Sequence, residues 1–152
     1  MKGLQMAIRK RLETHKSLLY KILFLEQRLD NLAESLVLPA TTNLAQTLVQ
    51  GGETPDHLPL KLHQIEVIRA ELEGLYILRD QEYDNLWQAV DSLSNTDEMQ
   101  VLYSCYFWLL DNEAIAKEIF GDREDFQERR KSYRNRVSKL HSSAMSKLAN
   151  MN

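Results

Sequence analysis

The 152-residue chain holds one cysteine, three prolines and five glycines. A lone thiol cannot close a disulfide within the chain, and apolar neighbours make Cys105 read as a buried thiol in a reducing compartment. So few prolines and glycines leave little material for tight turns, which suits a mostly helical chain. No apolar run approaches the roughly 18 residues of a membrane span, so no membrane association is expected. Residues 1–16 lack the continuous apolar stretch of a secretory leader, and the expected location is the cytoplasm. No glycine-rich phosphate loop, H-E-x-x-H or C-x-x-C occurs, and His15, His57, His63 and His141 have no ligand spacing. Those four read as surface or helix-flank residues. The adjacent pairs Asp97/Glu98 and Glu124/Asp125 read as helix starts that favour the dipole, not as catalytic carboxylates. No catalytic residue, metal site or cofactor is therefore expected, and the chain is not read as an enzyme.

What is present is helical periodicity in a chain that is 43% apolar and 27% charged, which excludes wholesale disorder. Leu4, Ile8, Leu12, Leu19, Ile22, Leu25, Leu29, Leu32 and Leu36 recur at spacings of a helix face. They predict one helix over 3–36, about 50 Å long, too long for a small core to cover without a partner helix. Residues 37–58 hold Pro39, Pro55 and the Gly51-Gly52 pair, and read as a linker with at most a short helical turn at 43–49. A second helix is predicted over 59–93, opening on Pro59 in its first turn. The expected arrangement is a long antiparallel, coiled-coil-like hairpin over 1–93, which also serves self-association, with a homodimer as the expected state.

The last third, 94–152, differs. Ser94, Asn95 and Thr96 are candidate caps for the apolar segment 99–110, whose aromatics read as core together with Trp87. Asp111 or Asn112 can cap the next helix, and Gly121 can end it in a left-handed conformation. Phe126, Tyr133, Val137, Leu140, Ala144, Leu148 and Met151 then form one apolar stripe. Three helices ordered medium, short and long, with a glycine-containing turn, are the order of a helix-turn-helix whose last helix enters the major groove.

Charge marks the same helix. Between Arg129 and Lys147 there are seven Lys or Arg and no Asp or Glu, while the rest of the chain carries 12 basic and 22 acidic residues. Solvated faces usually alternate signs to gain i,i+4 pairs, so a one-sided face points to an anionic partner. At 100° per residue, Lys131, Asn135, Ser138, Lys139 and Ser142 point away from the stripe, with Arg134 at the edge of that face. Arg129, Arg130, Arg136 and Lys147 flank the stripe, where long side chains reach phosphates. Amide and cationic donors outward, with cations at the flanks, are the chemistry that reads base edges and positions a helix on duplex DNA.

LSNTDEMQVLYSCYFWLLDNEAIAKEIFG followed by YRNRVSKLHSSAMSKL resembles the C-terminal helix-turn-helix of bacterial sigma factors (region 4). Glu113-Ala114-Ile115-Ala116 and Gly121 are similar to its second helix, with Ala114 interposed, and Ala144, Met145 and Leu148 to the end of its third. Behind a helical hairpin, this looks most like small phage-encoded regulators of the RinA/ArpU late-gene-activator type. The resemblance covers roughly 94–148 by motif. It implies an all-α transcriptional regulator in a bacterial host cell, binding promoter DNA and contacting RNA polymerase. One departure stands out: the stretch from Gly121 to Ala144 exceeds the family pattern by almost three helical turns. Residues 122–131 either extend the last helix, with Asp122 as its cap, or form a separate lobe. Two other readings stand beside the regulator. One is a helical module that binds a partner protein without DNA. The other is a DNA-packaging factor of the small-terminase kind, which also joins helix-turn-helix to coiled coil.

Overall fold

The structure, a computed structural model, describes residues 2–36 and 54–150, with side-chain surroundings for 7–36 and 58–150. The expected turn at 43–49 and the end of the stripe at Met151 lie outside these residues. Among the described residues every regular element is a helix: α1 (Lys2–Leu36), α2 (Thr54–Asp91), α3 (Thr96–Tyr106), α4 (Asn112–Phe120) and α5 (Arg130–Asn150). The chain is all-α. None of these helices is long and apolar enough to cross a membrane.

Backbone contacts divide the chain into two compact units, Met1–Tyr20 with Arg79–Asn152, and Lys21–Leu78. This grouping cuts across the segments 1–93 and 94–152 because Ile8 and Leu12 of α1 share a buried cluster with Leu86 and Val90 of α2, Leu102 and Tyr106 of α3, and Ala144, Met145 and Leu148 of α5. A second cluster in the same unit joins Val101, Ile115, Ala116 and Phe120 to Phe126, Tyr133 and Val137. The Arg11 guanidinium also meets the Glu82 carboxylate through two hydrogen bonds of 2.8 and 2.9 Å. In the other unit, Ile22 and Leu25 of α1 and Ile65, Ile68, Leu72 and Leu75 of α2 are buried. There Lys21 lies 3.4 Å from Glu71.

Several boundaries differ from the sequence reading. The second helix starts at Thr54, so Pro59 lies inside it. Pro55 takes the first-turn position, whereas Pro59 forfeits the N–H that would reach back to the carbonyl of residue 55 and its ring crowds that carbonyl. The segment 99–110 is not one helix. α3 ends at Tyr106, and the chain turns through Leu109, a non-glycine residue at φ 57°. Leu110 N–H then bonds the Ser104 carbonyl at 2.9 Å, which closes the turn. Trp108 is consequently about half exposed instead of core, and Trp87 and Phe107 are only partly buried, whereas Tyr103 and Tyr106 are buried. Gly121 does not adopt a left-handed conformation: φ is −61° and ψ −24°. Glycine is needed there for space, since a Cβ would collide with the Lys117 carbonyl oxygen. Residues 121–129 form consecutive turns, and the last helix begins only at Arg130, so it is not extended back to Asp122. Phe126 anchors these turns, buried beside the Tyr133 ring at a centroid distance of 5.7 Å.

Histidine placement also corrects the sequence reading. His15 is 3% exposed, with neither ring nitrogen hydrogen-bonded. His141 is half-buried against Tyr106, whose hydroxyl lies 2.7 Å from its Nε2. His63 is exposed, and the surroundings of His57 lie outside the described side chains. Cys105 is partly buried, with Lys16 Nζ 3.3 Å from its sulfur.

Candidate nucleic-acid interface

The last helix packs its apolar face against two capped helices. Asn95 caps α3, its side chain accepting the Glu98 N–H at 3.0 Å. Asp111 caps α4 in the same way, accepting from Ala114 N–H at 2.8 Å. Each cap satisfies one of the orphan donors of a helix start. Glu118 of α4 ties the two together, accepting from Ser104 and Gln100 of α3 at 2.8 and 3.0 Å. Against this pair α5 lays Tyr133, Val137, Ala144 and Leu148, as its stripe predicted. Met145 and Ala149 are buried as well, which widens the docking face beyond the single stripe.

All ten residues of the expected DNA-binding face are exposed. The structure nevertheless separates them by what they touch. Arg129 lies 3.6 Å from Asp125 and Arg130 lies 2.9 Å from Glu113. Lys147 is 2.9 Å from both oxygens of Glu98, a carboxylate that is only 4% exposed and also accepts from Ser143 Oγ at 2.7 Å. Arg136 spreads over the Phe120 ring, 4.8 Å from its centroid, and reaches the Tyr133 ring at 5.7 Å. Ser138 accepts from the Asn112 amide at 3.3 Å. Lys131, Arg134, Asn135, Lys139 and Ser142 make no side-chain hydrogen bond or ion pair among the described residues.

The charge run is therefore not one uniform surface. Three of its seven cations meet carboxylates from α3, α4 and the 121–129 turns, and a fourth stacks on aromatic rings. Lys131, Arg134 and Lys139 meet no carboxylate among the described residues and stand on the outward face. Beside Lys139 is a cleft of about 300 Å³, lined by Asp97, Glu98, Phe120, Arg136, Leu140 and Ser143 as well. Its mixed walls suit the edge of a charged surface better than a dedicated anion pocket.

Sequence reasoning missed the counter-ions. Glu98 does stand in the first turn of α3, but its side chain turns to Lys147 instead of to the helix start. Asp125 is not at a helix start at all. It accepts from the Tyr133 hydroxyl, which is the main reason its carboxyl titrates below the ordinary range. The N-cap to N3 spacing from Asn95 would have sent Glu98 back to the helix start as in a capping box, so no local signal points to its pairing with Lys147. Among the described residues no group of three His, Cys, Asp or Glu is placed to hold a metal ion.

No family model, no curated protein and no solved structure matches this one.

Proposed function

We propose that the chain is a sequence-specific DNA-binding transcriptional regulator, of the phage or mobile-element activator kind, that reads promoter DNA with α5. On this reading α3, α4 and α5 form a helix-turn-helix of sigma-region-4 type, and α1 and α2 form the hairpin that mediates self-association or contact with RNA polymerase. The observation that carries it is the outward face of α5, where Lys131, Arg134, Asn135, Lys139 and Ser142 have no side-chain partner among the described residues and stand on a helix fixed by its other side. Asn135 and Arg134 supply the donors suited to adenine and guanine edges. Lys131 and Lys139 supply phosphate contacts. Arg129, Arg130 and Lys147 contribute less, because a DNA phosphate must compete with the carboxylates they already meet. The net charge of −10 outside the basic run confines contact to this face.

A second reading has an observation of its own. Nine residues of turns separate α4 from α5, where helix-turn-helix connections run to about 3–4. That spacing, with Glu113 and Asp125 beside the start of α5, favours a module that binds a protein partner.

Selection from random-sequence duplexes, followed by a salt titration on the selected site, separates the two. The three outward cations predict a slope of log K against log salt of about −2.7, at about 0.9 per phosphate neutralised. Absence of any retained duplex at about 50 mM salt overturns the DNA reading.

A further inference from the structure

Where α5 gathers cations without an acid, another stretch does the reverse. Between Arg79 and Lys117 there are eight Asp or Glu and no Lys or Arg. The same stretch holds both tryptophans of the chain. Within the unit of Met1–Tyr20 and Arg79–Asn152, its rings form a row. Tyr83 stacks on Trp87 at 5.7 Å, Trp87 stacks on Tyr103 at 4.2 Å, and Trp108 lies 6.1 Å from Tyr103. Phe107 meets Tyr83 and Trp87 edge-on, at 5.3 Å each. The row opens to solvent at its two ends, where Tyr83 and Trp108 are exposed. Trp108 is held out by the turn through Leu109, whose left-handed backbone is uncommon for a residue other than glycine. Rigid, half-exposed tryptophan and tyrosine are the residues that anchor protein partners.

Carboxylates flank these rings. At 100° per residue, Asp80, Asp84, Trp87 and Asp91 fall within about 60° of one another on α2. The Tyr103 hydroxyl donates to Asp91 at 3.0 Å, which ties one carboxylate to the row. Asp91 is also the last residue of α2, where a negative charge opposes the helix dipole, so helix stability does not place it there. Cations that come to this end of α2 already have partners. Arg79 lies 3.0 Å from Asp80 and Arg11 lies 2.8 Å from Glu82, while Lys16 turns to Cys105 and the Tyr106 ring. Asp84 and Asp91 are exposed and meet no cation among the described residues. Charge therefore selects the occupant. Nucleic-acid bases also stack on rings, but their phosphates would be repelled here. A guanidinium suits both parts of the surface, because it is planar, stacks on aromatic faces and pairs with carboxylates.

We propose that this face docks an arginine-bearing basic segment of a partner protein, with one guanidinium stacked on the open side of Trp108 and others paired with Asp84 and Asp91. The face uses none of the residues assigned to DNA, so it holds whether or not α5 binds a duplex.

A dye-labelled peptide of alternating arginine and glycine, titrated with the full chain at about 150 mM salt, tests it. Binding is expected to raise the anisotropy of the peptide and to change the emission of the two tryptophans, which both lie in the row. The same peptide with lysine for arginine is expected to bind more weakly. Trp108→Ala, and separately Asp84→Asn with Asp91→Asn, are each expected to weaken binding about tenfold. Trp108→Phe keeps a ring and should lose less than Trp108→Ala. Neutralising exposed acids elsewhere, with Glu66→Gln and Glu73→Gln, should leave binding unchanged. Circular dichroism checks the fold, and the exposed aspartate pair carries the comparison if Trp108→Ala alters it. No binding of the arginine peptide overturns the proposal. So does equal binding of the lysine peptide, or a loss at Glu66 and Glu73 as large as at Asp84 and Asp91. Sedimentation of the chain alone as more than one copy, reversed by Trp108→Ala, gives the face to a second copy and overturns the partner assigned here. DNA retention is read separately, so failure of either surface leaves the other standing.

Discussion

Lys147 Nζ stands 2.9 Å from a Glu98 carboxylate that is only 4% exposed, although the two residues are 49 positions apart. The pair joins the first turn of α3 to the last turns of α5, so a cation that sequence assigns to DNA works as a structural counter-ion. Removing it leaves a buried carboxylate with Ser143 as its one remaining side-chain donor among the described residues. Lys147→Ala is expected to lower stability by about 1–3 kcal/mol in urea denaturation. Adding Glu98→Gln should return part of that loss, because no buried charge then remains. Unchanged stability in the single variant would show that solvent already screens the pair.

The outward cations should behave differently. Lys131→Ala, Arg134→Ala and Lys139→Ala are each expected to reduce the salt slope of DNA binding by about one unit while leaving stability within about 0.5 kcal/mol. Arg134→Ala should also relax base preference, since its guanidinium can read an edge as well as a phosphate. Arg130→Ala is expected to change the slope less than any of the three, because Glu113 already compensates it at 2.9 Å. Fluorescence anisotropy across a salt series checks the order, and a larger effect at Arg130 than at Arg134 contradicts it.

Much of this division was legible in the sequence, and the rest was not for definite reasons. The stripe Tyr133, Val137, Ala144 and Leu148 was readable because periodicity alone fixes which side of a helix is buried. The caps Asn95 and Asp111 were readable because few residue types accept a backbone N–H at a helix start. The partners of Arg129, Arg130 and Lys147 were not, since Asp125, Glu113 and Glu98 reach them through the packing of separate elements, which no local pattern encodes. Gly121 is not legible because a glycine that ends a helix ordinarily signals backbone conformation, whereas here crowding by the Lys117 carbonyl demands it. Trp108 is not legible because the apolar run continues past Tyr106, where the turn at Leu109 redirects the chain.

His15 makes stability depend on pH. Its imidazole is buried against Tyr83 and Phe107, with ring centroids at 6.1 and 5.0 Å. Burial lowers its pKa, Glu82 opposes that shift, and Arg79 adds to it. A histidine with a depressed folded pKa binds protons more readily unfolded, so stability is level above the unfolded value of about 6.5 and falls as pH drops below it. His141 is shifted in the same direction, mainly by burial. Urea midpoints should therefore fall between about pH 7.5 and about pH 5.5. His15→Phe, which suits the aromatic surroundings, should reduce the fall without abolishing it, because His141 remains. An equally steep fall in the variant would assign the effect to other groups.

Gly121 offers a test of how the turns ahead of α5 are built. Its N–H bonds the Lys117 carbonyl at 2.8 Å in a right-handed conformation, so alanine would meet no backbone strain. The obstacle is steric, because the added methyl would collide with that same carbonyl oxygen. To make room, the chain must shift at the point where α4 hands over to the 121–129 turns, loosening Phe126 from Phe120 and Tyr133. Gly121→Ala is accordingly expected to destabilise the fold by about 1–3 kcal/mol, the range for forced overpacking. Hydrogen exchange should place the loss at α4 and the start of α5, sparing α1 and α2. If alanine instead stabilised the chain, as it does where glycine serves no steric need, the close approach at Lys117 would be wrong.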